Sequence, residues 1–262
     1  MFTKRASGYN LHVPFNTKDC VVYQVVNLFD FACLMFYPKA CQDFLMGSDM
    51  YQDFVETIIE ISKRIYDKGY VAATDGNISF RLDCDRIMTT ASGVCKGFLT
   101  RDDLVVVGLD GKKLSGKKDP SSELLMHLEV YKQRPDVKAV IHAHPPISTG
   151  ISIAGLSLSD PVVPEVVITL GEIPTAKYAT TGTDEVAESI KDLIKNHDAI
   201  LLERHGSLTV GDSLESAYMK LEKVEHTAKV VSVAHGIGKV RVLSDDQLEK
   251  LKSIRIKYLN NF

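Results

Sequence analysis

The chain has 262 residues, 45% of them hydrophobic, which is enough to bury the core of one sizeable domain. Its 31 basic and 34 acidic residues are well mixed and leave a net charge of -3, so a small-molecule partner is expected rather than nucleic acid or an anionic membrane. Five cysteines, Cys20, Cys33, Cys41, Cys84 and Cys95, form no CxxC pair or regular framework and read as reduced thiols, consistent with a cytoplasmic location.

Residues 1–49 carry three of those cysteines and many aromatics without a sustained helical or strand period. They are expected to be an N-terminal extension, either poorly ordered or translated upstream of a true start at Met46 or Met50. Gln24, Asn27 and Asp30 interrupt the apolar stretch from Cys20 to Tyr37 before it reaches the length of a membrane span. Asn77-Ile78-Ser79 matches a glycosylation acceptor, but no signal peptide accompanies it.

From Asp53 onward, Phe54, Ile58, Ile61 and Ile65 recur at helical spacing, and Gly69 supplies the stop. Strands are expected at Asn77 to Arg81, Arg86 to Thr90 and Leu104 to Gly108, followed by an Asp110-Gly111 hairpin turn into Lys112 to Leu114. Pro120-Ser121-Ser122-Glu123 precedes a helix whose apolar positions begin at Leu124 and Leu125. Val137 to Ile141 and Ala199 to Leu202 are apolar runs of strand length, and each is followed closely by histidine. Helices are expected at Asp184 to Lys195, Ser213 to about Ala234, and Asp245 to Tyr258. The pattern predicts a three-layer α/β/α domain, residues 50–262, around a largely antiparallel sheet.

His142-Ala143-His144 lies at a strand end, where alternate side chains share a face, so both imidazoles can meet one ion. His205, followed by Gly206, is the candidate third ligand. Paired histidines can equally well pack or face solvent, but Pro145-Pro146 and Gly206 suit the tight backbone of a site. Glu123 is the candidate general base, able to remove a proton beside a ketone polarised by the metal. Its blander reading is a first-turn glutamate interacting with the helix dipole. Thr74-Asp75-Gly76-Asn77, Thr90-Ala91-Ser92-Gly93 and Ser121-Ser122 each combine hydroxyl or amide groups with accessible backbone and could hold a phosphate, although each alone is also an ordinary turn or cap. His127 and His226 read as structural helix histidines. No GxGxxG or GxxxxGK[ST] occurs.

Taken in order, Gly76 to Ser79 (GNIS), Ser92-Gly93, Pro120 to Glu123 (PSSE), His142 to His144 (HAH), Tyr178 to Thr183 (YATTGT) and Arg204 to Gly206 (RHG) resemble the class II aldolase/adducin family, most nearly its L-fuculose-1-phosphate aldolase branch. The resemblance spans about residues 53–258. It implies a homotetramer with active sites at subunit interfaces, Zn²⁺ (with Mn²⁺ or Co²⁺ as alternatives) on His142, His144 and His205, and Glu123 as acid/base that can also approach the metal. It also implies substrate contacts, chiefly to phosphate, from Gly76, Asn77, Ser92, Gly93, Ser121 and Ser122. The related epimerases carry aspartate where Glu123 stands, so Glu123 favours aldol chemistry. In place of the branch's proton-donating tyrosine this chain aligns Glu165, and Tyr258 falls where the family has a second active-site tyrosine. The function implied is reversible cleavage of a ketose 1-phosphate, fuculose 1-phosphate or a deoxy or modified pentulose 1-phosphate, to dihydroxyacetone phosphate and a small aldehyde. An epimerase, dehydratase or decarboxylase on the same scaffold, or a noncatalytic adducin-like module, is the alternative.

Overall fold

The computed structural model describes residues 49–259, with side chains described for 51–257. The expectations for residues 1–48 therefore lie outside the described residues, as does the side chain of Tyr258.

Helix α1 (Asp49–Asp67) buries Val55, Ile58, Ile61 and Ile65, each at most 2% exposed. A fully buried isoleucine stabilises by roughly 1.5–3 kcal/mol, which makes this stripe the main reason the segment docks as a helix. The next strands are β1 (Asn77–Arg81), β2 (Arg86–Thr90), β3 (Leu104–Gly108) and β4 (Lys113–Ser115). Helix α2 (Leu124–Gln133) leads into β5 (Ala139–Ala143), followed by α3 (Pro146–Ile153), α4 (Pro164–Thr169), β6 (Thr175–Ala176) and α5 (Asp184–Ile190). Strands β7 (Ala199–Leu202) and β8 (Gly206–Gly211) precede α6 (Leu214–Ile237) and α7 (Asp245–Leu259).

The eight strands form one sheet in the order β4-β3-β2-β1-β5-β8-β7-β6, antiparallel at every pair except β6 with β7. Helices cover both faces, as the alternation of β7 demonstrates. Ala199 and Leu201 pack with Val224, Ala228 and Val231 of α6, whereas Ile200 and Leu202 join the cluster holding Met126 and Val130 of α2 and Ile190 of α5. The α/β/α layering and largely antiparallel sheet expected from the sequence are thus present.

Several elements differ from the sequence-based expectation. The helix expected over Asp184 to Lys195 stops at Ile190; beyond it Lys191 N bonds Glu188 O and Asn196 N bonds Leu193 O, both three residues back, in tightened turns that still bury Ile194. Pro145-Pro146, read as a turn, instead begins α3, with Pro146 in the first helical position where a missing N–H costs nothing. The first-turn N–H groups of Ile147 and Ser148, which have no partner within the helix, are satisfied by the buried carboxylate of Glu225 on α6, each at 2.8 Å. Strand β8 is bounded by glycines and carries Ser207 and Thr209 among its buried residues, a composition that hides it from a hydrophobicity scan. Among the described residues no helix is long and apolar enough to cross a membrane. Asn77 of the glycosylation-like triplet is 3% exposed, which closes it to modification in the folded protein.

Candidate active site

The site sits where β1 and β8 begin and β5 and β7 end. Sheet register places Asn77 opposite His142, and His142 opposite Leu208 on its other side. His142 therefore projects from a central strand and is 1% exposed, while His144 lies just past the strand end. His205 enters from the tight turn joining β7 to β8, closed by the Leu202–Gly206 pair. Arg204 in that turn has φ 60°, a left-handed conformation unusual for a side chain of its size, and its N–H is held by Ser152 Oγ at 3.0 Å. Gly206 is required because a Cβ there would lie 2.3 Å from Ala143 O and 2.8 Å from His144 Cδ2. Gly76 has φ 71°, and a Cβ on it would meet His142 O at 2.8 Å.

These local geometries bring the three imidazoles into a near-symmetric arrangement, with ring centroids 4.6–4.8 Å apart and interplanar angles of 61–62°. Glu123, just before α2, faces them: Oε2 is 3.2 Å from His142 Nε2 and Oε1 is 3.1 Å from His205 Nε2. One potential ligand atom from each of the four residues lies within 4.8 Å of the others. His142 Nδ1–H donates to Ser207 O at 3.0 Å, which turns the Nε2 lone pair inward. Asp75 Oδ2 stands 3.5 Å from His144 Nδ1 on the outer side.

The donor set fits a divalent metal. The inward lone pair of His142 Nε2 lies 2.9 Å from His144 Nε2, close enough for both nitrogens to face one cation. Burial, aided by the neighbouring imidazoles, holds His144 down to about 3, so it stays neutral and available as a ligand. Glu123 Oε1 is buried and makes no hydrogen bond. Burial pushes the Glu123 carboxyl up, but the facing His142 and His205 outweigh it and keep the group well below the usual carboxylate range.

A cavity of about 400 Å³ opens over this cluster, lined by Thr74, Asp75, Gly76, Asn77, Ala91, Ser92, Gly93, Ser121, Ser122, Glu123, His144, Thr181, Gly182 and His205. The three polar pieces read as phosphate-binding candidates thus line one cavity, and Asn77 Nδ2 of the first reaches Glu123 Oε2, 46 residues away, at 3.0 Å. An isolated bridge between Ala91 and Pro120, and Ser92 N on Asp119 O at 3.0 Å, lash the second piece to the third. Lys96, 2% exposed, ties the first to the second by donating from Nζ to Thr74 O at 3.2 Å and Val94 O at 2.8 Å; burial lowers its ammonium to about 8. Glu165 is exposed in the first turn of α4 and does not line this cavity within one chain, and Tyr258 belongs to α7.

Five contributing residues had no role assigned to them individually in the sequence. Asp75 and Thr181-Gly182 sit inside quoted motifs but had no individual signal. Lys96 had none at all, and His127, read as structural, bonds Asn77.

Residues 56–232 match the model of the family described as class II aldolase and adducin N-terminal domain. The 3-oxo-tetronate 4-phosphate decarboxylase of Escherichia coli K12 is 34% identical over 206 residues, 77% of this chain and 96% of that protein. The L-fuculose phosphate aldolase of Methanococcus vannielii is 36% identical over 185 residues, 71% and 99% of the two chains. A solved L-fuculose 1-phosphate aldolase superposes with a TM-score of 0.71 at 30% identity, covering 77% of this chain and 95% of the other. With the match running through more than half its length, from α1 into α6, this chain belongs to the class II aldolase and adducin family.

Proposed function

We propose that the protein is a zinc-dependent aldolase that reversibly cleaves a ketose 1-phosphate to dihydroxyacetone phosphate and a small aldehyde. The observation that carries this reading is an ionised Glu123 set against three imidazoles beneath a cavity walled by hydroxyl groups and glycine-flanked backbone. Three histidines with one position left for substrate suit zinc, which when bound supplies a Lewis acid for the negative charge that develops beside the ketone as the carbon–carbon bond breaks. Ser92, Ser121 and Ser122, with the backbone at Gly76 and Gly93, receive the phosphate, fixing the distance from it to the reacting carbons. Glu123 removes a proton from the carbon beside the carbonyl in condensation and returns it in cleavage, as microscopic reversibility demands.

A second reading, decarboxylation of a phosphorylated 3-oxo sugar acid, is favoured by the 34% identity to a 3-oxo-tetronate 4-phosphate decarboxylase. It uses the same residues, because loss of carbon dioxide leaves a carbanionic centre of the same kind, to which Glu123 relays a proton taken up from solvent. The two separate in one experiment. Zinc-loaded protein is offered a panel of ketose 1-phosphates, with dihydroxyacetone phosphate release followed by a coupled assay, and 3-oxo-tetronate 4-phosphate, with carbon dioxide release measured. Dihydroxyacetone phosphate supports the aldolase, carbon dioxide alone supports the second reading, and bound metal with neither product rejects both.

A further inference from the structure

From Glu123 at the cavity wall, a file of buried polar side chains runs inward between β1 and α2. Asn77 Nδ2 donates to Glu123 Oε2 at 3.0 Å, and Asn77 Oδ1 meets His127 Nε2 at 2.5 Å. His127 Nδ1 lies 2.6 Å from Ser79 Oγ, which lies 2.8 Å from Tyr131 Oη. Ser79, His127, Tyr131 and Asn77 are 0%, 1%, 2% and 3% exposed, so none can exchange its partner for water.

The donor and acceptor inventory gives this file one direction. The Asn77 amide presents its NH₂ to Glu123 and its carbonyl oxygen, which only accepts, to His127. His127 must therefore carry its proton on Nε2. As a neutral ring its Nδ1 then accepts from Ser79, which leaves the serine oxygen to accept from Tyr131. Every bond in the file then points toward the carboxylate, and Lys138 O, 3.4 Å from Tyr131 Oη, is a second acceptor for the tyrosine proton.

We propose that His127 is a positioning residue for the acid/base: by fixing the Asn77 amide it pins Glu123 Oε2 and leaves Oε1, the oxygen that Asn77 does not hold, for the travelling proton. The inference rests on the reading of Glu123 as the acid/base, but its first test does not need turnover. In protein labelled with ¹⁵N-histidine, long-range ¹H–¹⁵N correlation should show His127 as the neutral Nε2–H tautomer at pH 7. The Nδ1–H tautomer or an imidazolium there would overturn the proposal whatever the enzyme does.

The second test uses His127→Phe, which keeps a ring but loses the Nε2 donor, and His127→Gln, whose amide N–H can reach the same carbonyl. With metal content unchanged, His127→Phe should lower kcat roughly 10–100-fold, the range for second-layer support of a site, with little change in KM, and His127→Gln should recover most of it. Adding His127→Phe to Glu123→Gln should cost no further rate, since nothing remains to be positioned. Full additivity, or loss in His127→Gln equal to that in His127→Phe at equal thermal stability, would assign His127 to packing alone. A wild-type protein inactive on every substrate would reject the proposed function and leave the tautomer measurement to decide this inference.

Discussion

At the residue scale the chemistry concentrates on Glu123 and the three histidines, whose roles can be separated experimentally. Glu123→Gln keeps the shape and an oxygen but removes the proton shuttle. It is expected to lower kcat by roughly 10²–10⁴-fold while elemental mass spectrometry still finds metal, and unchanged turnover would remove Glu123 from the mechanism. His144→Ala takes away one of three nitrogen donors, so about one metal per chain in the wild type should fall to near none. Retention of metal in that variant would mean that the ion is held elsewhere.

At the scale of elements the site depends on backbone positions that carry no functional group. Gly206→Ala would drive a methyl into Ala143 O at 2.3 Å and press on the His144 ring. We expect about 1–3 kcal/mol of destabilisation together with weakened metal binding, measured by thermal melting and metal titration. A second element-level joint is Asp198, just before β7, which accepts from Arg134 at the end of α2 (3.0 Å) and Lys220 of α6 (2.7 Å). Burial pushes its carboxyl up, but Lys220 and Arg134 outweigh this and hold it below the ordinary value. A depressed carboxyl contributes stability that is fully present above the unfolded pKa of about 3.9 and is lost as pH falls through the lower folded value. Asp198→Asn should therefore cost about 1.5–3 kcal/mol at pH 7 and make the acid limb of the stability profile below about pH 4 shallower; an unchanged acid limb would show that the joint is not coupled to folding.

At the scale of the whole molecule we propose a homotetramer with catalytic sites at subunit boundaries. Exposed apolar side chains such as Met219, Val233 and Ile237 on α6 and Ile256 on α7 are available to a neighbouring subunit. Light scattering coupled to size exclusion should return about four times the 29.0 kDa chain mass, and a monomer that retains activity would remove the need for a neighbour. Glu165, exposed and away from the cavity of its own chain, is the residue whose part in the aldehyde half of the site depends on that outcome.

Much of this protein was legible because its signals are local. The stripe Ile58, Ile61 and Ile65, the strands β1 to β3 and β7, and the start of α6 at Ser213 all follow from local pattern. His142 and His144 declare themselves through two-residue spacing on a strand. Other features depend on contacts between distant segments. Strand β8 forms despite its glycines and buried hydroxyls because β5 and β7 satisfy its backbone on both sides, and α3 begins at Pro146 because Glu225, 77 residues away, accepts the N–H of Ser148. The same is true of His127, which in sequence is only a histidine on an apolar helix face. Its bond to Asn77, 50 residues earlier, exists only once β1 and α2 are packed, because the interior leaves each buried polar group no partner but the one the fold brings to it.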